Sequence, residues 1–208
     1  MSFFYVLRPF NNPIEKYRFY SLPFCDTHDT HGVKGGEKHK QRLREAMAGD
    51  RRESSPYVVH YGQNVSNSVV CGKTLTKDDV KAFKEAIEHY YFFEMYVEDI
   101  PMAGFIGDVQ NEDTIGRDLG RAFSGPKATY SGTYTLFTHL NFQFGMNNGK
   151  IVSASVTTDN TKTVDITNDE SKDVQFSYSV TWVQDDTKWK VSKTSKTFNL
   201  TLNSIFIL

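Results

Sequence analysis

Along residues 75–108 the spacing of apolar positions changes once, and the change predicts a helix running directly into a strand. Val80, Phe83, Ile87, Tyr90 and Tyr91 recur at helical intervals and make one apolar stripe. Lys81, Lys84, Glu85 and Glu88 fall largely off that stripe, on the side expected to face water. Thr76 is placed to cap the helix by accepting from the Asp79 backbone N–H, and Asp78 and Asp79 suit the positive end of its dipole. The predicted helix covers 76–91. Phe93, Met95 and Val97 then alternate with Glu94, Tyr96 and Glu98, the rhythm of a strand with one buried face. Pro101 and Gly104 punctuate, and Phe105-Ile106 resumes the apolar run.

The remaining pattern is mostly period two, broken by polar turns. Residues 1–24 predict two short strands around the Asn11-Asn12-Pro13 turn. Residues 42–48 predict a short helix, within about 41–48, stopped at Gly49-Asp50. Tyr57, Val58, Val59 and Tyr61 suggest one strand, and 68–71 another. Residues 135–144 read as a single long strand in which Leu140, Phe142 and Phe144 alternate with polar residues. Asn147-Asn148-Gly149 supplies a hairpin turn, and Ile151, Val152, Ala154 and Val156 mark the return strand. A polar loop is expected over 159–173. Phe176, Tyr178 and Val180 then oppose Ser177, Ser179 and Thr181, and Trp189 and Val191 mark a last strand. The fold class expected is mainly β with α: an antiparallel β-sandwich with one packed helix.

Composition narrows this picture. At 208 residues one domain is expected, with enough chain to bury a core. A net charge of −1 gives no electrostatic case for nucleic acid or an anionic membrane as partner. The 16 Phe and 11 Tyr favour strands. No stretch approaches the roughly 18–20 apolar residues of a membrane span.

Candidate chemistry is sparse. Cys25, Asp26, His28, Asp29 and His31 are all metal-capable, but they open a Gly-rich polar run, and a solvated loop is the preferred reading over zinc. Gly72-Lys73-Thr74 imitates the end of a phosphate loop, yet Asn67 stands where that motif needs its first glycine. There is no G-x-S-x-G, H-E-x-x-H or C-x-x-C, so neither an enzyme nor a cofactor is expected. His139 reads either as a hydrogen-bonded strand histidine or as a pH sensor for an acidic compartment. Asn64-Val65-Ser66 and Asn199-Leu200-Thr201 are N-glycosylation sequences, meaningful only outside the cytosol.

The run AIEHYYFFEMYVEDIPMAGFIG resembles the luminal domain of the nonaspanins, the transmembrane nine superfamily. There a helix ends in paired aromatics, an aromatic-acidic strand follows, and an acidic-apolar-proline step leads to Gly-Phe-Ile/Val-Gly. Tyr90, Tyr91, Phe92, Phe93, Glu94, Asp99, Pro101, Gly104, Phe105 and Gly107 stand at matching places. Four further segments match in order: the Asn-Pro turn with Ser21-Leu22-Pro23-Phe24-Cys25; Gly49-Asp50-Arg51; Thr138-His139 with Gly149-Lys150-Ile151-Val152; and Tyr178-Ser179-Val180 with Trp182.

The resemblance implies that residues 1–199 are the luminal part of a nine-spanning Golgi or endosomal membrane protein. Residues 200–208 would then begin its first membrane segment. Met1–Leu7 is too short for a signal segment, and the chain is read as a luminal-domain fragment or truncated product. The resemblance further implies a Cys25–Cys71 disulfide; two free buried cysteines are the other reading. Function would lie in sorting and surface delivery of other membrane proteins, especially those with glycine-rich spans. The implied partners are that cargo and the chain's own membrane domain. The alternative is a stand-alone soluble β-sandwich that binds glycan or protein.

Overall fold

The computed structural model describes residues 3–12, 14–26, 53–97, 100–110 and 132–187. Eleven strands are seen among them: β1 Phe3–Pro9, β2 Glu53–Ser54, β3 Val65–Leu75, β4 Tyr91–Val97, β5 Ile100–Phe105, β6 Gly107–Gln110, β7 Thr133–Phe137, β8 His139–Asn147, β9 Lys150–Thr158, β10 Thr163–Asp165 and β11 Lys172–Gln184. One α-helix, α1, runs Lys77–Glu88 between β3 and β4, so the protein is mainly β with one packed helix. The anticipated short helix at 41–48, the last strand at Trp189 and Val191, and residues 200–208 lie outside the described residues. No helix among the described residues is long and apolar enough to cross a membrane.

The strands form three sheets, ordered β2-β1-β4-β5, β10-β7-β6 and β3-β11-β8-β9. All pairs are antiparallel except β11 with β8, which run parallel from Ser177↔His139 to Gln184↔Met146. That pair departs from the all-antiparallel expectation. It arises because β11 inserts between β3 and β8, which are not neighbours in sequence. The chain passes from the first sheet to the second at Ile106, whose carbonyl accepts from Phe137 N–H at 3.0 Å. It passes from the second to the third at Thr138. These crossings are the corners that let separate sheets enclose one core.

Thr138 is also why 135–144 is two strands and not one. Its N–H donates to Lys162 O at 3.2 Å, and its carbonyl accepts from Ser177 N–H at 3.0 Å. The backbone therefore leaves one ladder and enters another at this residue. The polar 159–173 segment is likewise not only loop: it carries β10 and the fully buried Ile166. Two further expectations fail on backbone grounds. Tyr57–Tyr61 packs without joining a ladder, with the Tyr57 ring 5.3 Å from Phe142 and 5.2 Å from Tyr178. Tyr17 makes only a single bridge to Leu7, and the chain then forms a 3-10 turn at Phe19–Ser21.

α1 begins as its sequence dictates. Thr76 Oγ1 accepts from Asp79 N–H, and the Asp79 carboxylate accepts in return from Thr76 N–H at 2.9 Å, a reciprocal cap. Val80, Phe83, Ala86 and Ile87 are buried. The helix stops at Glu88, not at Tyr91, because Tyr90 takes the left-handed conformation at φ 52° and Tyr91 opens β4. Tyr91 instead stacks on Tyr17 at 5.7 Å. Gly107 permits the close seating of α1, since a Cβ there would strike Thr135 O and the Ile87 side chain. Lys84 is not fully in water; its Nζ donates to Thr167 O at 2.8 Å and lies 4.9 Å over the Tyr134 ring.

A Cys25–Cys71 disulfide ties the segment after the 3-10 turn to β3, with Cα atoms 6.0 Å apart. Closing 46 residues of chain stabilises the fold by about 4 kcal/mol in the chain-entropy account. The bond holds Phe24 where its ring meets Phe19 at 4.5 Å, Phe83 at 4.9 Å and Phe176 at 5.8 Å. Helix, 3-10 turn and third sheet thus share one aromatic core.

Candidate functional site

A cluster of polar residues lies where β3, β11 and β8 run side by side. β3 is irregular here: its register against β11 shifts between Phe176 and Ser177 and again between Tyr178 and Val180. Asn67 takes φ 48° at the second irregularity, a conformation asparagine tolerates better than most residues. Its N–H leaves the ladder and donates to Ser179 Oγ at 3.0 Å. Ser177 and Ser179, two residues apart on β11 and in unbroken register with β8, point to one face and reach one ring.

That ring is His139. Its Nδ1 is 2.7 Å from Ser177 Oγ and its Nε2 2.9 Å from Ser179 Oγ. The turn between β9 and β10 closes over it: Asp159 N–H donates to His139 O at 3.2 Å, and Lys162 N–H donates to Asp159 O at 3.1 Å. Lys162 Nζ donates to Asn67 Oδ1 at 2.7 Å, locking the turn to β3. His139 is only 1% exposed. Burial lowers its pKa from the ordinary 6.5, the Lys162 charge lowers it further, and Asp159 and the Asn141 side chain oppose. The imidazole is therefore neutral at pH 7, with one nitrogen donating and the other accepting. Asp159 itself is held below the usual carboxylate value, chiefly by the Thr161 hydroxyl donating to it at 2.6 Å.

A serine beside a histidine is half of a nucleophilic pair. In this arrangement each ring nitrogen already faces a serine hydroxyl; His139 and Ser177 are buried, and the half-buried Ser179 hydroxyl already accepts from Asn67 N–H. What the cluster does is bind three neighbouring strands and one turn through a single titratable ring. An aromatic-lined void of about 20 Å³, room for about one water, lies nearby among Phe19, Phe24, Phe93, Phe137 and Leu140. No group of three or more His, Cys, Asp or Glu side chains among the described residues is close enough to hold a metal.

The other sequence candidates are scattered. Gly72-Lys73-Thr74 lies in the body of β3, paired with 173–175 of β11. Asn64 is exposed, and its Oδ1 accepts from Trp182 N–H at 2.8 Å. Cys25 and Cys71 are bonded to each other. Asn199, His28, Asp29 and His31 lie outside the described residues.

One charged pair was not anticipated. Glu94, expected to face water, is 1% exposed, and its carboxylate stands 2.6 Å from Arg8 Nε. The two make an ion pair without the alignment of a good hydrogen bond, while Tyr96 Oη donates to the other carboxylate oxygen. Val6↔Glu94 and Arg8↔Phe92 are register partners, so Arg8 reaches Glu94 diagonally on one face. That face is covered, because Val6 and Phe92 on it are also buried. An arginine in an otherwise apolar first strand was the available signal.

Residues 16–206 match the family model for endomembrane protein 70. The chain is 34% identical over 182 residues to transmembrane 9 superfamily member 2 of Arabidopsis thaliana, covering 88% of this chain and 28% of that protein. It is 36% identical over 175 residues to member 5 of the same plant, covering 84% and 27%. It is 29% identical over 178 residues to member 1 of Rattus norvegicus, covering 84% and 27%. The chain thus spans little more than a quarter of the length of these relatives.

Proposed function

Because the chain belongs to the endomembrane protein 70 family, whose matched relatives are transmembrane 9 superfamily members, we propose that it is the luminal head of a Golgi or endosomal membrane protein. The disulfide is the observation that carries this reading. A buried Cys25–Cys71 bond between separate elements belongs in an oxidising compartment, not in the cytosol. The exposed Asn64 sequence is in keeping with it. The head is non-catalytic, a reading supported by the closed His139–Ser177 pair. Its partners are the membrane part of its own protein and the membrane proteins whose sorting that protein assists.

Protease protection tests the location. An epitope placed in the Asn148-Gly149 turn of the membrane-bound protein should survive protease in intact vesicles and be lost once detergent is added. Loss in intact vesicles would refute a luminal head. For the sorting role, deleting the gene should misplace a reporter with a glycine-rich membrane span; correct delivery of that reporter would count against it.

A further inference from the structure

The bend before β3 sets an exposed aromatic residue and an exposed asparagine against the same residue, Trp182. His60, Tyr61, Gly62 and Gln63 form a turn closed by Gln63 N–H donating to His60 O at 3.2 Å. Gly62, third in the turn, has φ 69°, as a type II turn requires. Such a turn holds its first and last Cα atoms within about 7 Å. Asn64 follows the turn directly, and it and Tyr61 meet the same residue, Trp182, one at its backbone N–H and the other at its ring. The Tyr61 ring leans on Trp182, with centroids 5.0 Å apart and planes tilted 54°. The residue is nevertheless 45% exposed, one of the few exposed large hydrophobic residues among the described residues.

Asn64 is oriented by the same strand. Trp182 N–H donates to its Oδ1 at 2.8 Å, which turns the acceptor corner of the amide toward β11. Nδ2 is the other corner of the same planar group, and it makes no hydrogen bond among the described residues. Ser66 supplies the hydroxyl of the glycosylation sequence and is exposed.

We infer that Asn64 carries an N-linked glycan whose first N-acetylglucosamine lies on the outward side of the Tyr61 ring. The proposal rests on the luminal reading above for its opportunity. The donor is a polyprenyl-pyrophosphate-linked oligosaccharide. Asn64 Nδ2 forms a bond to sugar C1, the C1–O bond to pyrophosphate breaks, the amide releases one proton, and the lipid pyrophosphate leaves with the bonding pair. The apolar C–H face of the sugar then covers ring surface that would otherwise be wet, while the Tyr61 hydroxyl stays in water. The sugar also stands at the start of β3, which is the terminal strand of its sheet among the described residues and carries the 50% exposed Val69. A hydrated chain there hinders another polypeptide from adding to that edge.

The test expresses the whole chain behind a cleavable secretion signal in eukaryotic cells. Ser66→Ala abolishes the sequence while leaving the Asn64–Trp182 hydrogen bond in place; Tyr61→Ala removes the seat and keeps the sequence. Peptide mapping should find Asn64 modified in the parent chain and bare in Ser66→Ala. Enzymatic removal of the glycan from folded protein, and the Ser66→Ala change, should each lower Tm by about 2–4 °C when Tyr61 is present. Neither should change Tm in the Tyr61→Ala background. An unmodified Asn64, or the same Tm change with and without the ring, overturns the proposal. Since the added signal delivers the chain to the lumen, failure here counts against the sugar seat, and vesicle protection judges the location separately.

Discussion

His139 couples a single proton to three strands. Its folded-state pKa lies below 6.5, so on acidification the unfolded chain takes the proton first. The stability it contributes is complete above pH 6.5 and declines as the pH falls below that value. Asp159, Asp165 and Asp185 act in a different window. Hydrogen bonds from Thr161, Thr167 and Thr187 hold their values below 3.8, so their contribution stands above that pH and fails only beneath it. Tm should therefore fall between pH 7 and pH 5, and fall less in His139→Gln; equal slopes for the two proteins would contradict the role given to this ring. Glu94 offers a second test. Glu94→Gln removes the carboxylate charge that faces Arg8 Nε in a buried setting and should cost about 3 kcal/mol in urea unfolding. Arg8→Met combined with Glu94→Leu should cost less than Glu94→Gln alone, because both charges of this pair are then removed together. If the double variant is the worse of the two, the ion pair itself stabilises the sheet.

At the scale of elements, the end of α1 is the informative place. Tyr90 holds φ 52° where glycine is the usual residue, and its carbonyl accepts from Phe10 N–H at 3.3 Å. Tyr90→Gly and Tyr90→Ala both remove the ring, but only glycine is at ease in that conformation. The glycine variant should be the more stable by about 1 kcal/mol, read from unfolding midpoints; parity would mean that the left-handed residue is not strained. The start of this helix was legible, since a cap and an apolar stripe are local facts carried by Thr76, Asp79, Val80, Phe83 and Ile87. Its end was not, because Tyr90 and Tyr91 continue the apolar spacing while the backbone has already turned. Strand breaks failed similarly. Nothing in the alternation through 135–144 marks Thr138, whose backbone partners Lys162 and Ser177 lie far along the chain. Glu94 was misplaced because alternation separates two faces but does not say that both are covered.

For the molecule as a whole, the mainly β class with one helix and the Asn147-Asn148-Gly149 hairpin could be read from spacing and turn residues, and the cysteine pair from the family resemblance that the match to residues 16–206 bears out. The parallel β11–β8 pair and the cluster around His139 could not, because both depend on which distant strands become neighbours. Fold and compartment meet in the disulfide: the proposed luminal location requires that the aromatic core closed by Cys25–Cys71 form where thiols are oxidised. It is tested most directly by mapping peptides, without reduction, from the protein isolated from its own cells with thiols blocked at lysis. A peptide in which Cys25 is covalently linked to Cys71 is expected. Recovery of both cysteines carrying the blocking group would contradict it.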